Sequence, residues 1–281
     1  MDIKKSVKEK YGEIARQSDK KEKSSCCSCG CGDNSVFGID YSVFNEDATK
    51  MPGYNPDADL SLGCGLPTEF AQISAGDTVV DLGSGAGNDC FIARAITGET
   101  GRVIGLDFTP EMVEKARNNA SKLGLGNVEF ILGDIEQIPL KTGIADVVVS
   151  NCVLNLVPDK VKAFAEIFRI LKPRAHFCVS DIVLQGTLPE NLRNDMVMYA
   201  GCVSGAVQKE EYLEIIRKAG FENIRIKKDR VIEIPDEIFQ KYISAEDTEQ
   251  MKVNKIGIFS ITVTAEKPGI VSINNYNYGD E

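Results

Sequence analysis

From residue 77 onward, short β-branched segments alternate with helical segments, and this alternation constrains the fold more than any other feature. Amphipathic helices are predicted at about 88–97, 110–123 and 159–171. Strands that alternate with helices of this length pair in parallel through right-handed crossovers. The sequence therefore predicts a doubly wound α/β domain with a mostly parallel sheet. The predicted strands are Thr78–Leu82, Arg102–Asp107, Val128–Leu132, Asp146–Ser150 and His176–Asp181.

The segments on either side of this region lack the regular alternation of strands and helices. Apolar residues at positions 3, 7, 11 and 14 have the spacing of an amphipathic helix. After residue 187, a helical pattern around Tyr212 and strands at Ile224–Ile226 and Ile258–Thr264 indicate a smaller α+β region. We expect four parts: an N-terminal helix, cysteine cluster and loop segment over 1–67, the α/β domain over 68–186, the C-terminal α+β region over 187–268 and a flexible tail over 269–281.

Composition excludes several functional classes. Forty-two Asp and Glu against 32 Lys and Arg give a net charge of −10, which argues against nucleic-acid binding by bulk charge. No apolar run approaches the roughly 20 residues of a membrane span, and the start lacks a signal-peptide pattern, so we expect a cytoplasmic protein without a membrane partner. Nine cysteines in a reducing compartment indicate reactive thiols rather than disulfides, and the single His176 is expected to be a strand residue without a catalytic role.

A glycine-rich turn follows the first predicted strand. Gly83, Gly85 and Gly87 stand as Gly-x-Gly-x-Gly between that strand and a helix, where they permit a tight turn and let a ligand approach bare backbone. A glycine turn alone also fits an ordinary strand-to-helix loop. Asp107 ends the second strand, twenty residues after Gly87, where a carboxylate can accept both hydroxyls of a ribose.

Residues around the glycine turn and after the third predicted strand limit the classes of cofactor that could bind. No Gly-Lys-Ser/Thr occurs, which excludes a P-loop, and Asn88 stands where a dinucleotide-binding turn has its third glycine. Asp81 lies within the first strand, and Gly133-Asp134-Ile135 follows the third. Together these features resemble the Rossmann-like class I S-adenosylmethionine-dependent methyltransferases. The resemblance implies that the glycines pack against the methionine part, Asp107 binds the ribose, and Asp134 and Ile135 lie by the adenine. The residues it implies for the cofactor are Asp81, Gly83, Ser84, Gly85, Gly87, Asp107, Met112, Asp134, Ile135 and Asn151.

Three cysteines lie where a methyl acceptor would bind. Cys152 follows the fourth strand and should face the methyl donor, since ligands bind beyond the carboxyl ends of parallel strands. Cys64 and Cys202 are flanked by glycines, whereas Cys90 and Cys178 fall inside a helix and a strand and are expected in the core. Thiolates suit a soft, thiophilic centre. A structural zinc is the competing interpretation, weakened because these cysteines lack CxxC pairing.

A more specific resemblance covers residues 10 to 268. The run Asn151-Cys152-Val153-Leu154-Asn155-Leu156, together with Leu62-Gly63-Cys64-Gly65, Val179-Ser180-Asp181, Leu188-Pro189-Glu190, Gly201-Cys202 and Tyr11-Gly12 followed by Cys26, is similar to the arsenite methyltransferases. The pattern departs from that family at Lys172-Pro173-Arg174-Ala175, where Lys-Pro-Gly-Gly is usual, and we expect little functional consequence.

The resemblance implies a mechanism and partners. Cys152 and Cys202 would hold As(III), with Cys64 as a third ligand or exchanging partner, and the arsenic lone pair would attack the methyl group. Cys26, or its neighbour Cys27, would form a disulfide with Cys64 as product leaves, and a glutathione- or thioredoxin-type reductant would reset it. The family's methylated trivalent arsenicals are detoxification products. Cys29 and Cys31 have no assigned role, and we expect a monomer.

Two alternatives remain open at this stage. The same fold could methylate a small organic acceptor such as a quinone precursor, since fold alone does not specify the substrate. The cysteines could instead serve a non-catalytic, thiol-based metalloid- or zinc-binding protein. The intact glycine turn and Asp107 argue against loss of the methyltransferase activity.

Overall fold

Seven strands form one mixed sheet in the described part of the protein. The computed structural model describes residues 3–23, 35–36, 39–40, 45–186, 205–232, 244, 246 and 257–269. Two short strands, β1 (Ser35–Val36) and β2 (Ile39–Asp40), pair antiparallel as a separate sheet. The seven strands of the mixed sheet are β3 (Thr78–Leu82), β4 (Arg102–Asp107), β5 (Val128–Leu132), β6 (Ala145–Asn151), β7 (Leu171–Gln185), β8 (Glu222–Val231) and β9 (Gly257–Glu266). The helices are α1 (Ile3–Lys23), α2 (Pro67–Phe70), α3 (Asn88–Thr97), α4 (Pro110–Lys122), α5 (Lys160–Ile170) and α6 (Lys209–Lys218). None of the helices in these ranges is long and apolar enough to cross a bilayer.

The order of the strands places a ligand site at the middle of the sheet. The order is β5-β4-β3-β6-β7-β9-β8, with β3 to β7 paired in parallel and β9 antiparallel to both β7 and β8. From β3 the chain proceeds outward to β4 and β5, and then returns to the opposite side of β3 with β6. Ligands of doubly wound sheets bind at the carboxyl ends of the strands beside such a reversal.

Helices cover both faces of the sheet because successive strand residues point to opposite sides. Val80 and Ile104 pack with α5 and α6 in one core cluster. Their neighbours Val79 and Val103 pack with α3 and α4 in a second cluster on the other face. This two-layered burial confirms the doubly wound architecture expected from the sequence.

The strand boundaries predicted from the sequence agree best with the structure for strands whose neighbours are short and parallel. The first three predicted strands match β3, β4 and β5, and the predicted helices match α3, α4 and α5 to within one residue. Strand β7 is longer than the predicted His176–Asp181 because it pairs antiparallel with β9 from His176 to Gln185. The strands of the expected C-terminal region, β8 and β9, extend this same sheet; the division of the chain at residue 187 stays a prediction.

Helix α1 confirms the N-terminal amphipathic pattern. Ile14 and Ala15 are buried against Met112 of α4, and Tyr11 packs beside them. Val7, on the same stripe, is 4% exposed. The helix therefore lies against the segment that follows β4, close to the carboxyl edge of the sheet.

Candidate active site

A cleft opens at the carboxyl ends of β3, β4 and β6, where the strand order reverses. Its empty volume, open mouth included, is about 1290 Å³. Nine of the ten residues expected to bind a cofactor line it: Asp81, Gly83, Ser84, Gly85, Asp107, Met112, Asp134, Ile135 and Asn151. The tenth, Gly87, does not line the cleft. A Cβ at Gly87 would lie 2.9 Å from the rings of Phe91 and Phe130, so close packing explains this glycine.

The glycine turn places backbone at the floor of the cleft. Gly83 has a φ of +73°, and a Cβ there would lie 2.3 Å from a methyl carbon of Val153. Gly85 has a φ of +52°, and its N–H donates to Oδ2 of Asp107 at 2.9 Å. Asp107 also accepts from the N–H of Thr109 at 2.8 Å. Burial raises the pKa of Asp107, and these backbone hydrogen bonds oppose the shift.

Two further carboxylates make this end of the cleft acidic. Asp81 is 2% exposed, and its Oδ2 accepts a hydrogen bond from Sγ of Cys90 at 3.2 Å. Burial, and then the charge of Asp89, raises the pKa of Asp81. Burial also raises the pKa of Asp89 to about 6, although the hydrogen bond from Asn151 lowers it. S-adenosylmethionine carries a sulfonium and an ammonium group, so this set of carboxylates fits it.

Helix α1 closes one side of the cleft. Val7 and Tyr11 line it, and Nζ of Lys4 forms ion pairs with Asp134 and Glu136 at 2.7 Å each. Neither the lining by α1 nor Asp89 was expected from the sequence. The apolar stripe predicted that α1 forms a helix, but nothing local showed which surface the stripe would cover.

Cys152 lies in the cleft immediately after β6. Its φ is +59°, a left-handed conformation that is strained for a residue with a side chain. The backbone N–H donates to the carbonyl of Ser180 at 2.8 Å, which fixes this turn against β7. Cys152 is 4% exposed and lines the cleft together with Asn151 and Val153. The strained turn thus places a buried thiol beside the residues expected to bind the methyl donor.

Cys64 is held against the same turn. Its backbone N–H donates to Oδ1 of Asn151 at 3.0 Å, and its side chain is buried. The flanking Gly63 and Gly65 line the cleft. A Cβ at Gly65 would lie 2.5 Å from Oγ of Ser180, so the loop contacts the residue that also fixes Cys152.

Tyr212 of α6 is hydrogen-bonded to a buried acid. Its hydroxyl donates to Oδ2 of Asp181 at 2.9 Å. Burial and the charge of Asp181 raise the pKa of Tyr212, and thiolate charge on Cys64 or Cys152 raises it further.

The remaining cysteines divide into two groups. Cys90 and Cys178 are buried in the core, as expected. Cys26, Cys27, Cys29, Cys31 and Cys202 lie outside the described residues, so the roles predicted for Cys26, Cys27 and Cys202 stay predictions. Within the described ranges, no three His, Cys, Asp or Glu side chains converge as a metal-ion site.

Known proteins resemble the chain over most of its length. Arsenite methyltransferase from Halobacterium salinarum is 37% identical over 241 residues, 85% of this chain and 59% of the relative. Arsenite methyltransferase from Aquipseudomonas alcaligenes is 32% identical over 247 residues, 82% of this chain and 65% of the relative. The chain thus spans about three fifths of the length of these curated relatives.

A solved structure agrees in both sequence and fold. The crystal structure of an arsenic(III) S-adenosylmethionine methyltransferase from Chlamydomonas reinhardtii is 34% identical, with a TM-score of 0.62, covering 73% of this chain and 68% of that one. The family described as a methyltransferase domain matches residues 73–220, more than half of the chain. The chain therefore belongs to the methyltransferase-domain family and, within it, to the arsenite methyltransferase family.

Proposed function

We propose that this protein transfers methyl groups from S-adenosylmethionine to As(III) held by cysteine thiolates, giving methylated trivalent arsenicals. The observation that carries the proposal is the position of Cys152. Cys152 lines the cleft that contains Asp81, Asp107 and the glycine turn, and the Cys64 loop is hydrogen-bonded to the adjacent Asn151. Thiolate ligands at this position favour a thiophilic acceptor.

The chain's own residues bind and orient the reactants. S-adenosylmethionine supplies an electrophilic methyl group when bound. Asp107 would hold its ribose, while the thiolates of Cys64 and Cys152, with Cys202, would hold As(III) so that its lone pair faces that methyl group. Since the nucleophile is a lone pair, no side chain has to remove a proton. His176 fits this account, because it does not line the cleft and its Nε2 lies 2.6 Å from the carbonyl oxygen of Ala71.

Turnover requires the thiols to be regenerated. Donation of its lone pair to the methyl group raises arsenic formally from As(III) to As(V). We propose that Cys26 or Cys27 forms a disulfide with Cys64 as product leaves, and that the two electrons released return arsenic to the trivalent state. A glutathione- or thioredoxin-type reductant then restores both thiols. We also propose that the protein acts as a cytoplasmic monomer without nucleic-acid or membrane partners. A requirement for added thiol beyond a single turnover supports the disulfide step, and full turnover without any thiol contradicts it.

The experiment that tests the proposed function follows labelled methyl groups from S-adenosylmethionine. The protein is incubated with a thiol reductant and either arsenite or a demethylated quinone precursor, and the products are separated by chromatography. Label in methylarsenicals supports the proposal. Label in the quinone alone assigns an organic acceptor. Arsenite that binds without receiving label indicates a metalloid-binding protein.

A further inference from the structure

The side-chain amide of Asn151 makes four hydrogen bonds. Its Oδ1 accepts from the backbone N–H of Cys64 at 3.0 Å and from that of Gly65 at 3.3 Å. Its Nδ2 donates to the carbonyl of Gly65 at 2.8 Å and to Oδ2 of Asp89 at 3.0 Å. An amide has two donor hydrogens and two acceptor positions. All four are used within the chain, although the residue lines the cleft.

The loop that carries Cys64 is packed directly onto this amide. A Cβ at Gly63 would lie 2.7 Å from Nδ2 of Asn151, and a Cβ at Gly65 would lie 2.5 Å from Oγ of Ser180. Oγ of Ser260 also donates to the carbonyl of Cys64. Because two glycines are needed for this approach, the position of Cys64 depends on the position of the Asn151 amide.

The other end of the amide is bonded to a charged group of the cleft. Asp89 lies in the first turn of α3 and lines the cleft beside Asp81. A ligand ammonium or sulfonium next to Asp89 would favour the ionised carboxylate. An ionised carboxylate is a stronger acceptor for the N–H of Asn151 than a protonated one. Binding of a cationic ligand would therefore strengthen the bond that orients the amide.

We propose that Asn151 is a positioning residue that couples binding of the cationic cofactor at Asp89 to the position of the Cys64 loop. The cofactor would order the loop for As(III) capture, and captured As(III) would in turn strengthen cofactor binding, since coupling between sites is reciprocal. The inference rests on the proposed function for the identity of both ligands. Asn151 precedes Cys152 in the chain, so one short segment would carry an arsenic ligand and the coupling group.

The test measures how fast Cys64 is alkylated by iodoacetamide, resolved by peptide mass spectrometry, with and without saturating S-adenosylhomocysteine. This ligand keeps the ammonium group and cannot transfer a methyl group. In the native protein we expect it to slow alkylation of Cys64 at least about fivefold, the lower end of typical coupling between sites. Alkylation of the core residue Cys178 reports on global unfolding in the same samples.

The variant Asn151→Ser keeps a small polar side chain but cannot bridge the loop and Asp89. We expect faster basal alkylation of Cys64 and less than a twofold effect of S-adenosylhomocysteine, whose binding is checked by calorimetry. The matched control is Asn127→Ser, because the Asn127 amide also joins separate segments, through three hydrogen bonds with Arg94, Gly98 and Gly101, away from the cleft. Asn127→Ser should retain the native effect.

Two outcomes overturn the inference. One is a native protein in which S-adenosylhomocysteine binds without slowing alkylation of Cys64, and the other is a native-sized effect in Asn151→Ser. Should Asn151→Ser fail to bind the ligand, Asp89→Asn replaces it, since an uncharged amide at position 89 also removes the coupling. Methylation of arsenite is measured separately, so a chain that methylates without the alkylation effect contradicts this inference and leaves the proposed function standing. A chain that shows the alkylation effect without methylating arsenite supports the coupling through Asn151 and contradicts the proposed function.

Discussion

The carboxylate of Asp107 accepts a hydrogen bond from the backbone N–H of Gly85 at 2.9 Å. The contact joins the end of β4 to the glycine turn after β3, two segments that separate motifs predict from the sequence. A second backbone donor, the N–H of Thr109, holds the other oxygen at 2.8 Å. The acid expected to bind a ribose is therefore oriented by the turn expected to bind the methionine part.

Replacing Asp107 by Asn should weaken cofactor binding. An amide cannot accept from two ribose hydroxyls and two backbone donors, and hydrogen bonds to charged groups are each worth about 1.5–3 kcal/mol. We expect the affinity for S-adenosylhomocysteine, measured by calorimetry, to fall about 10- to 100-fold. Asp57→Asn, at an exposed residue paired with Lys122, serves as the control. Equal affinities of Asp107→Asn and the native protein would refute the ribose role.

The two glycines of the turn should differ in their response to alanine. Both have positive φ, but only at Gly83 does a Cβ meet an atom, a methyl carbon of Val153 at 2.3 Å; at Gly85 none lies within 4 Å. Gly85→Ala should therefore cost about 1–2 kcal/mol from backbone conformation alone. Gly83→Ala should cost more and also displace Val153, next to Cys152. Urea unfolding ranks the two variants, and the reverse order would contradict the geometry.

The stability of the protein should depend on the ionisation of Asp181. Burial raises the pKa of this carboxyl to about 7, although Tyr212 and Lys160 oppose the shift. Between about pH 4 and pH 7 the folded protein then retains a proton that the unfolded chain has lost, so the free energy of unfolding falls as the pH rises. We expect Asp181→Asn to gain stability relative to the native protein across this range, with no further change above it. Urea unfolding at a series of pH values measures the difference, and a difference independent of pH would rule out the raised pKa.

Ile14 should anchor helix α1 over the cleft. The side chain is 8% exposed and packs against Met112, so Ile14→Ala should weaken docking of the helix by about 2 kcal/mol. Hydrogen exchange should then accelerate in α1 and leave the central strands unchanged. Affinity for S-adenosylhomocysteine should also fall, because Val7 and Tyr11 line the cleft. Val161→Ala, at a residue 60% exposed, provides the control. Unchanged exchange in α1 would show that Ile14 does not hold the helix.

Local sequence patterns predict the central strands, the glycine turn and the acid at residue 107, because each depends on neighbouring residues. The contacts of Asn151 could not be predicted in this way, since its partners Cys64 and Asp89 lie more than sixty residues away in the chain. Arg174 illustrates a feature that the sequence shows but that only the structure explains. The sequence shows an arginine where glycine is usual in the family, and the structure places it at a φ of +65°. Only the backbone shows that this position adopts the conformation that glycine favours.

If Cys152 holds arsenic next to the methyl donor, methyl transfer to arsenite depends on its thiol, and paired variants measure that dependence. Labelled S-adenosylmethionine, arsenite and a thiol reductant are given to the native protein, to Cys152→Ser and to Cys178→Ala, whose thiol is buried in the core. We expect labelled methylarsenicals from the native protein and from Cys178→Ala, and none from a folded Cys152→Ser that still binds S-adenosylhomocysteine. Methylarsenicals formed at the native rate by Cys152→Ser would contradict this role of Cys152.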